Sequence, residues 1–181
     1  MPNEKVIKES LQRLYDANAV ILDSETTGFS KNDEIIDLAL ISFQTGQVIF
    51  QEYFIPEVGI NPFAERVHKL TIPKLISLGA KQLKYFQPTF DLIFNSEYPI
   101  IAYNAAFDKR LLNQSIIRHI GESAVVEKHW HCAMKAYQML NGKQVKLEEA
   151  CVNFNIPAGL HSAESDANAL RDLLLEIMNE L

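Results

Sequence analysis

A chain of 181 residues, 48% of them hydrophobic and 22% charged, is long enough for one domain with a substantial core, and it is neither disordered nor fibrous in composition. The formal net charge of −6 excludes the overall basic signature of a nucleic-acid-coating protein, but it leaves room for an enzyme whose anionic substrate is drawn to a local metal site. Two cysteines, Cys132 and Cys151, are too few for a disulfide framework, "MPNEKVIKES" lacks the apolar stretch of a signal peptide, and no apolar run approaches the roughly 20 residues that span a bilayer, so a cytoplasmic protein without membrane contact is expected.

No internal repeat, low-complexity tract or linker is visible, so residues 1–181 read as a single domain. Residues 4–17 carry Val6, Ile7, Leu11, Leu14 and Tyr15 near helical spacing, an N-terminal helix (within 1–17) of unassigned role. Residues 18–23 form a short apolar strand of the kind buried on both faces. "EIIDLALISF" (34–43) and "QVIFQEYFI" (47–55) read as strands joined by a tight "QTG" turn, an antiparallel hairpin. Short helices are expected near 62–69, 73–78 and 88–95, then a strand at 98–103 and a helix at 105–120. Further short helices at 132–140 and 146–153 precede a long closing helix at 162–181. A strand meander followed by strands alternating with helices implies an α/β fold, a mixed sheet with helices on its faces.

The last helix raises the first chemical question. Ala163, Ala167, Leu170, Leu173, Leu174, Ile177, Met178 and Leu181 define a buried stripe, and Asp166 falls on it. An aspartate facing inward needs a partner or a metal. Asp108 repeats the pattern, sharing a helix face with Leu111, Leu112 and Ser115, although at a first turn it also suits the helix dipole. Asp23 and Glu25 in "DSETTGF" alternate along an extended chain and so project to the same side. Taken singly such a pair is turn chemistry; four carboxylates at the ends of core elements suggest convergence at one sheet edge, where repulsion demands cations. Hard oxygen ligands suit Mg²⁺ or Mn²⁺, and two such ions about 4 Å apart are the arrangement used in phosphodiester cleavage.

"DSETTGF", "YNAAFD" (103–108) and "HSAESD" (161–166) together resemble, in order and spacing, the three motifs of the DEDDh 3′–5′ exonucleases, the group that contains the proofreading subunit of bacterial replicative polymerase, RNase T and exonuclease X. The resemblance runs from about Ala19 to the C-terminus. It implies a ribonuclease H-like fold with a five-stranded mixed sheet, two divalent cations, and release of nucleoside 5′-monophosphates from the 3′ ends of single-stranded DNA or RNA. Carried over position by position, Asp23 bridges both ions, Glu25 and Asp166 complete the first site, Asp108 holds the second, and His161 deprotonates the attacking water. It also implies substrate contacts from the Thr26-Thr27-Gly28 turn, from His68 in "VHKLT" and from Phe107, with Asn104 tying the second motif to the first. Two alternatives stay open: a polymerase-associated proofreading subunit, and an RNase T-like RNA-trimming enzyme, dimeric in that branch. Tyr103 stands where many relatives carry histidine, and the N-terminal helix has no counterpart in the family pattern.

Two other signals are weaker. "HWHC" offers His129, His131 and Cys132 as soft ligands, but structural zinc sites pair their knuckles and no second pair exists here; a strand beside the core with a buried Trp130 is the expectation. Lys109 and Arg110 flank the second motif as phosphate contacts or as solvated helix residues.

Overall fold

The computed structural model describes residues 2–181. Strands β1 (Val20–Thr26), β2 (Ile35–Ser42), β3 (Val48–Tyr53), β4 (Ile100–Ala102) and β5 (Trp130–Cys132) form one sheet in the order β3-β2-β1-β4-β5. The first three make an antiparallel meander, while β4 and β5 run parallel to β1, so the sheet is mixed as expected. The helices are α1 (Pro2–Asp16), α2 (Pro62–His68), α3 (Ile72–Ser77), α4 (Gln87–Phe94), α5 (Ala105–His119), α6 (Ala133–Asn141), α7 (Leu147–Asn153) and α8 (Ala163–Glu180), with short 3-10 turns at Leu83–Phe86 and Glu122–Ala124. No helix among the described residues is long and apolar enough to cross a membrane.

The two-residue period of β1 divides the core. Ala19 and Ile21 pack on one side with Ile7, Leu11 and Leu14 of α1, Tyr137 of α6, and Leu170, Leu173, Leu174 and Ile177 of α8. Val20 and Leu22 pack on the other with Leu111, Leu112 and Ile116 of α5 and with Phe86, Phe90 and Phe94 around α4. Both sides of the strand are buried, which is why it reads as a continuous apolar run. That run ends at Leu22, but the ladder does not. Asp23 pairs with Ala39, Ser24 with Leu38 and Glu25 with Asp37, so β1 extends to Thr26, three residues beyond the expected end at 23. Polar residues in a strand tip evade a search for hydrophobicity.

Among the described residues, three helices begin on a side-chain cap. Asn61 caps α2 through its side chain, Pro62 takes the first turn, and Lys69 closes it in the left-handed region at φ 59. Thr71 caps α3 in the same way. Ser162 caps α8, and Ser165 bonds back to complete a capping box. The expected strand around Trp130 exists as three-residue β5, but its tryptophan is only partly buried, with Nε1 shut away from water and lacking an acceptor.

Candidate active site

Strand parity sets the site. Asp23 and Glu25 continue the side of Ile21 and face α8; Ser24 continues the side of Leu22 and faces α5. On the α8 side, one ligand oxygen each from Asp23, Glu25 and Asp166 lies within 4.8 Å of the others, the only such group of potential metal ligands among the described residues. On the α5 side, the Ser24 hydroxyl donates to Asp108 Oδ1 at 2.8 Å, with both groups buried. The four acids therefore meet at the tip of β1 from two faces of the sheet. The soft ligands of "HWHC" form no comparable cluster among the described residues.

The electrostatics record the crowding. Burial and then the charges of Asp108, Glu25, Asp166 and Asp37 hold Asp23 well above the usual carboxylate range. Burial, with Asp166, Asp37 and Asp108 nearby, lifts Glu25 from its ordinary 4.5 to about 8. Asp108 is pushed to about 7 by burial, against the opposing pull of its bond from Ser24. Asp166 is raised by burial and partly relieved by Ser165 and by His161. Such a set favours a cation between the oxygens, and all-oxygen donors suit a hard one.

Three supports of this arrangement went unnoticed in the sequence. Asp37 lies opposite Glu25 on the same face, fully buried; its carboxylate accepts from Ala163 N at 3.0 Å and from Gln51 Nε2 at 3.2 Å, fastening the first turn of α8 to β2. Gly159 presses on Asp166: a Cβ there would lie 1.8 Å from Asp166 Oδ1. Glu148 of α7 meets His161, with Oε1 at 2.9 Å from Nε2. His161 itself sits at φ 56, outside the helix that fixes Asp166, and its amide donates to Asp166 Oδ1 at 3.2 Å. The spacing "HSAESD" was visible in sequence, whereas these three supports depend on how distant elements pack.

The remaining expected contacts are placed unevenly. Thr26 and Thr27 are buried and build the turn: Thr26 Oγ1 donates to the Gly28 carbonyl, Thr27 Oγ1 donates to Asp33 Oδ1, and the Thr27 amide is taken by the Glu34 carbonyl. Asp33 closes over Gly28, where a Cβ would stand 2.8 Å from both carboxylate oxygens, so the position accepts only glycine without a shift. His68 is buried rather than superficial. Its Nδ1 accepts from Leu70 N at 3.0 Å, which puts the ring proton on Nε2, and that atom has no partner of good geometry. Phe107 is partly buried and stands 5.9 Å from Phe29, which is 66% exposed. Asn104 does not make the expected tie between motifs: its side chain is exposed and forms no hydrogen bond among the described residues, and the Ser24–Asp108 bond does that work. Tyr103, the departure from the family pattern, is buried and donates to the Val145 carbonyl at 2.8 Å.

The exonuclease family model of the RNase T type matches residues 20–174, which include all three motifs. The chain belongs to this exonuclease family. Asp23, Glu25, Asp108, His161 and Asp166 all lie within the matched region. Among curated relatives, a PolC-type DNA polymerase III of Clostridium perfringens is 28% identical over 88% of this chain, which spans only 11% of that protein. An uncharacterised exonuclease of Escherichia phage 186 is 23% identical, covering 76% of this chain and 71% of the relative. Among solved structures, exonuclease X in complex with 5′ overhanging duplex DNA superposes with TM-score 0.68 at 24% identity, over 90% of this chain and 92% of that one. The nuclease domain of the DEDDh member 3′hExo bound to rAMP gives 0.70 at 16% identity, over 90% and 92%. These likenesses establish the ribonuclease H-like fold. Helix α1 lies wholly before the matched region.

Proposed function

We propose that this exonuclease releases nucleoside 5′-monophosphates from the 3′ ends of single-stranded DNA or RNA, using two divalent cations, Mg²⁺ or Mn²⁺. The observation that carries the reading is the grouping of Asp23, Glu25 and Asp166 within 4.8 Å, with Asp108 raised beside them and no basic side chain among the largest influences on Asp23 or Glu25. Asp23, Glu25 and Asp166 would hold one ion, and Asp23 with Asp108 the second. When bound, such a pair supplies the charge that favours ionisation of a water and steadies the leaving oxygen.

The chain's own residues do the rest. His161, on the loop before α8, takes the proton of the attacking water and is oriented by Glu148. The buried threonines hold the turn so that Gly28 and Phe29 present backbone to the terminal sugar. Phe29, with Phe107 behind it, offers an exposed ring on which a terminal base stacks. His68 supplies a fixed Nε2 donor near Thr26.

The test is digestion of 5′-labelled DNA and RNA oligonucleotides with Mn²⁺. A ladder growing from the 3′ end, abolished by EDTA and by a 3′-phosphate, is expected; cutting of circular strands at a similar rate refutes the exonucleolytic reading. Similarity to part of a PolC-type polymerase favours proofreading as a second reading. Faster removal of a mismatched than a matched 3′ nucleotide from duplex DNA, with RNA spared, is the result that selects it.

A further inference from the structure

Helix α5 carries Asp108 into the site, and its next turns carry a different chemistry. Arg110, Gln114 and Arg118 recur every four residues on one face and clamp the loop that follows β1. Arg110 donates to the carbonyls of Phe29 (3.0 Å) and Ser30 (3.3 Å), Gln114 to those of Ser30 and Asp33, and Arg118 pairs with buried Glu34 at 2.9 Å. With Lys31, Asn113 and Ile117 they line an open groove of about 600 Å³ that has no acidic residue in its walls. Lys31 is exposed and forms no ion pair among the described residues. Arg110 is held by carbonyls and the Gln114 amide oxygen and forms no ion pair among the described residues, although its charge also helps to lower the Asp33 carboxyl. Asp33 itself is also engaged by Thr27 and Ser30. The groove adjoins the aromatic pair, since the Arg110 guanidinium lies 5.6 Å from the Phe107 ring and bonds the Phe29 carbonyl.

On a chain of net charge −6, two cations, Lys31 and Arg110, that have no ion-pair partner among the described residues and stand in an open wall next to an exposed aromatic ring point to an anionic polymer that stacks at one end. We propose that the Lys31–Arg110–Arg118 groove binds the phosphate backbone of the substrate strand upstream of its 3′-terminal nucleotides. The inference rests on the exonuclease reading for the strand's direction. Because the loop clamp pre-orders Arg110, little side-chain freedom is lost on binding. Arg118 is engaged with Glu34, so Lys31 and Arg110 supply most of the attraction.

The test is fluorescence anisotropy with a labelled oligothymidylate of about 12 nucleotides whose 3′ linkage is a phosphorothioate. Arg110 and Arg118 also hold the loop, so the variants are Lys31→Ala and the double change Lys31→Glu with Ile117→Glu, two exposed positions. The double variant is expected to bind about tenfold more weakly at low salt. The slope of log affinity against log salt should flatten by about 0.7 for each phosphate that the variant no longer neutralises, one of them in Lys31→Ala. Unchanged affinity and slope in both variants overturn the proposal. So does competition by polyglutamate as effective as by unlabelled oligonucleotide, which would make the groove a docking site for an acidic protein. Hydrolysis of the p-nitrophenyl ester of thymidine 5′-monophosphate, too short to reach the groove, reads the carboxylate site separately; its absence in the wild type counts against the exonuclease reading while the binding titration still decides the groove.

Discussion

Glu25→Gln removes one charge from the acid cluster and keeps the shape, so without metal it should stabilise the fold. In the unfolded chain Glu25 ionises near 4.5, while burial and its acidic neighbours put the folded value at about 8. At pH 7 the folded group must therefore take up a proton that the unfolded group has released. The gap from 4.5 to 7 makes that cost about 3 kcal/mol. Glutamine, neutral in both states, avoids it. The sign follows from the raised folded value: the penalty is nearly absent below pH 4.5, grows as pH rises, and levels off above about pH 8. At pH 5 the advantage of the variant shrinks to about 1 kcal/mol, and at pH 9 it reaches about 4 to 5 kcal/mol. For a chain of this size, 3 kcal/mol is worth roughly 6 to 12 °C in melting temperature. Calorimetry in EDTA at pH 5, 7 and 9 reads the whole curve. Adding Mn²⁺ should reverse the order, because the wild type then gains more from the ion than the variant does. A variant that melts at or below the wild type at pH 7 in EDTA, or an advantage that does not grow with pH, refutes the reasoning.

Gly159→Ala should cut turnover by about 10²-fold by displacing the Asp166 carboxylate, with a stability loss of about 1 to 3 kcal/mol; full activity would mean that the loop yields without moving Asp166. Ser24→Ala removes the donor that opposes the rise of Asp108, so the acidic limb of the pH–rate profile should move up by about one pH unit, and an unmoved limb would exclude Asp108 from the titration that governs rate. His161→Ala should slow the chemical step by about 10²- to 10⁴-fold in single-turnover assays while substrate binding holds, and Glu148→Gln, which keeps the imidazole but loses its partner, should lower kcat by about tenfold with KM unchanged; equal losses from both would make the pair a structural unit.

How far the sequence carries depends on whether a signal is local. Asp166 could be found because apolar neighbours on its own helix mark the face it shares, and Asp23 with Glu25 because an extended chain has a fixed period. The supports of the site are different in kind. Asp37 reads as one charge inside an apolar strand until the register sets it opposite Glu25 and beneath the amide of Ala163, 126 residues away. Gly159 and Glu148 act through a loop and a helix whose positions follow from tertiary packing. The expectation for Asn104 failed for the same reason, since the tie between motifs runs through Ser24, a small polar residue with no pattern to mark it.

These supports also explain how a cluster of like charges coexists with a folded chain. Each acid is held by an element that is anchored apart from the charge it carries. Strand β1 is laddered on both sides, to β2 along its length and to β4 through Val20 and Ile21. Helix α5 is fixed by Leu111, Leu112 and Ile116, all fully buried, and α8 by its apolar stripe and by Arg171, which donates to the carbonyls of Phe43 and Gln44 at 2.9 Å. Asp37 joins β2 to α8 through a backbone amide, so this link needs no oppositely charged partner and responds little to salt. The repulsion among Asp23, Glu25, Asp108 and Asp166 is thus resisted by the packing and hydrogen bonding of the elements that carry them, with no lysine or arginine paired to any of the four among the described residues. A basic side chain in the cluster would relieve the strain permanently and fill the space between the oxygens. Leaving the charge to be balanced by a bound cation, as proposed, would keep that space open to substrate and make ion binding and stability two readings of one energy.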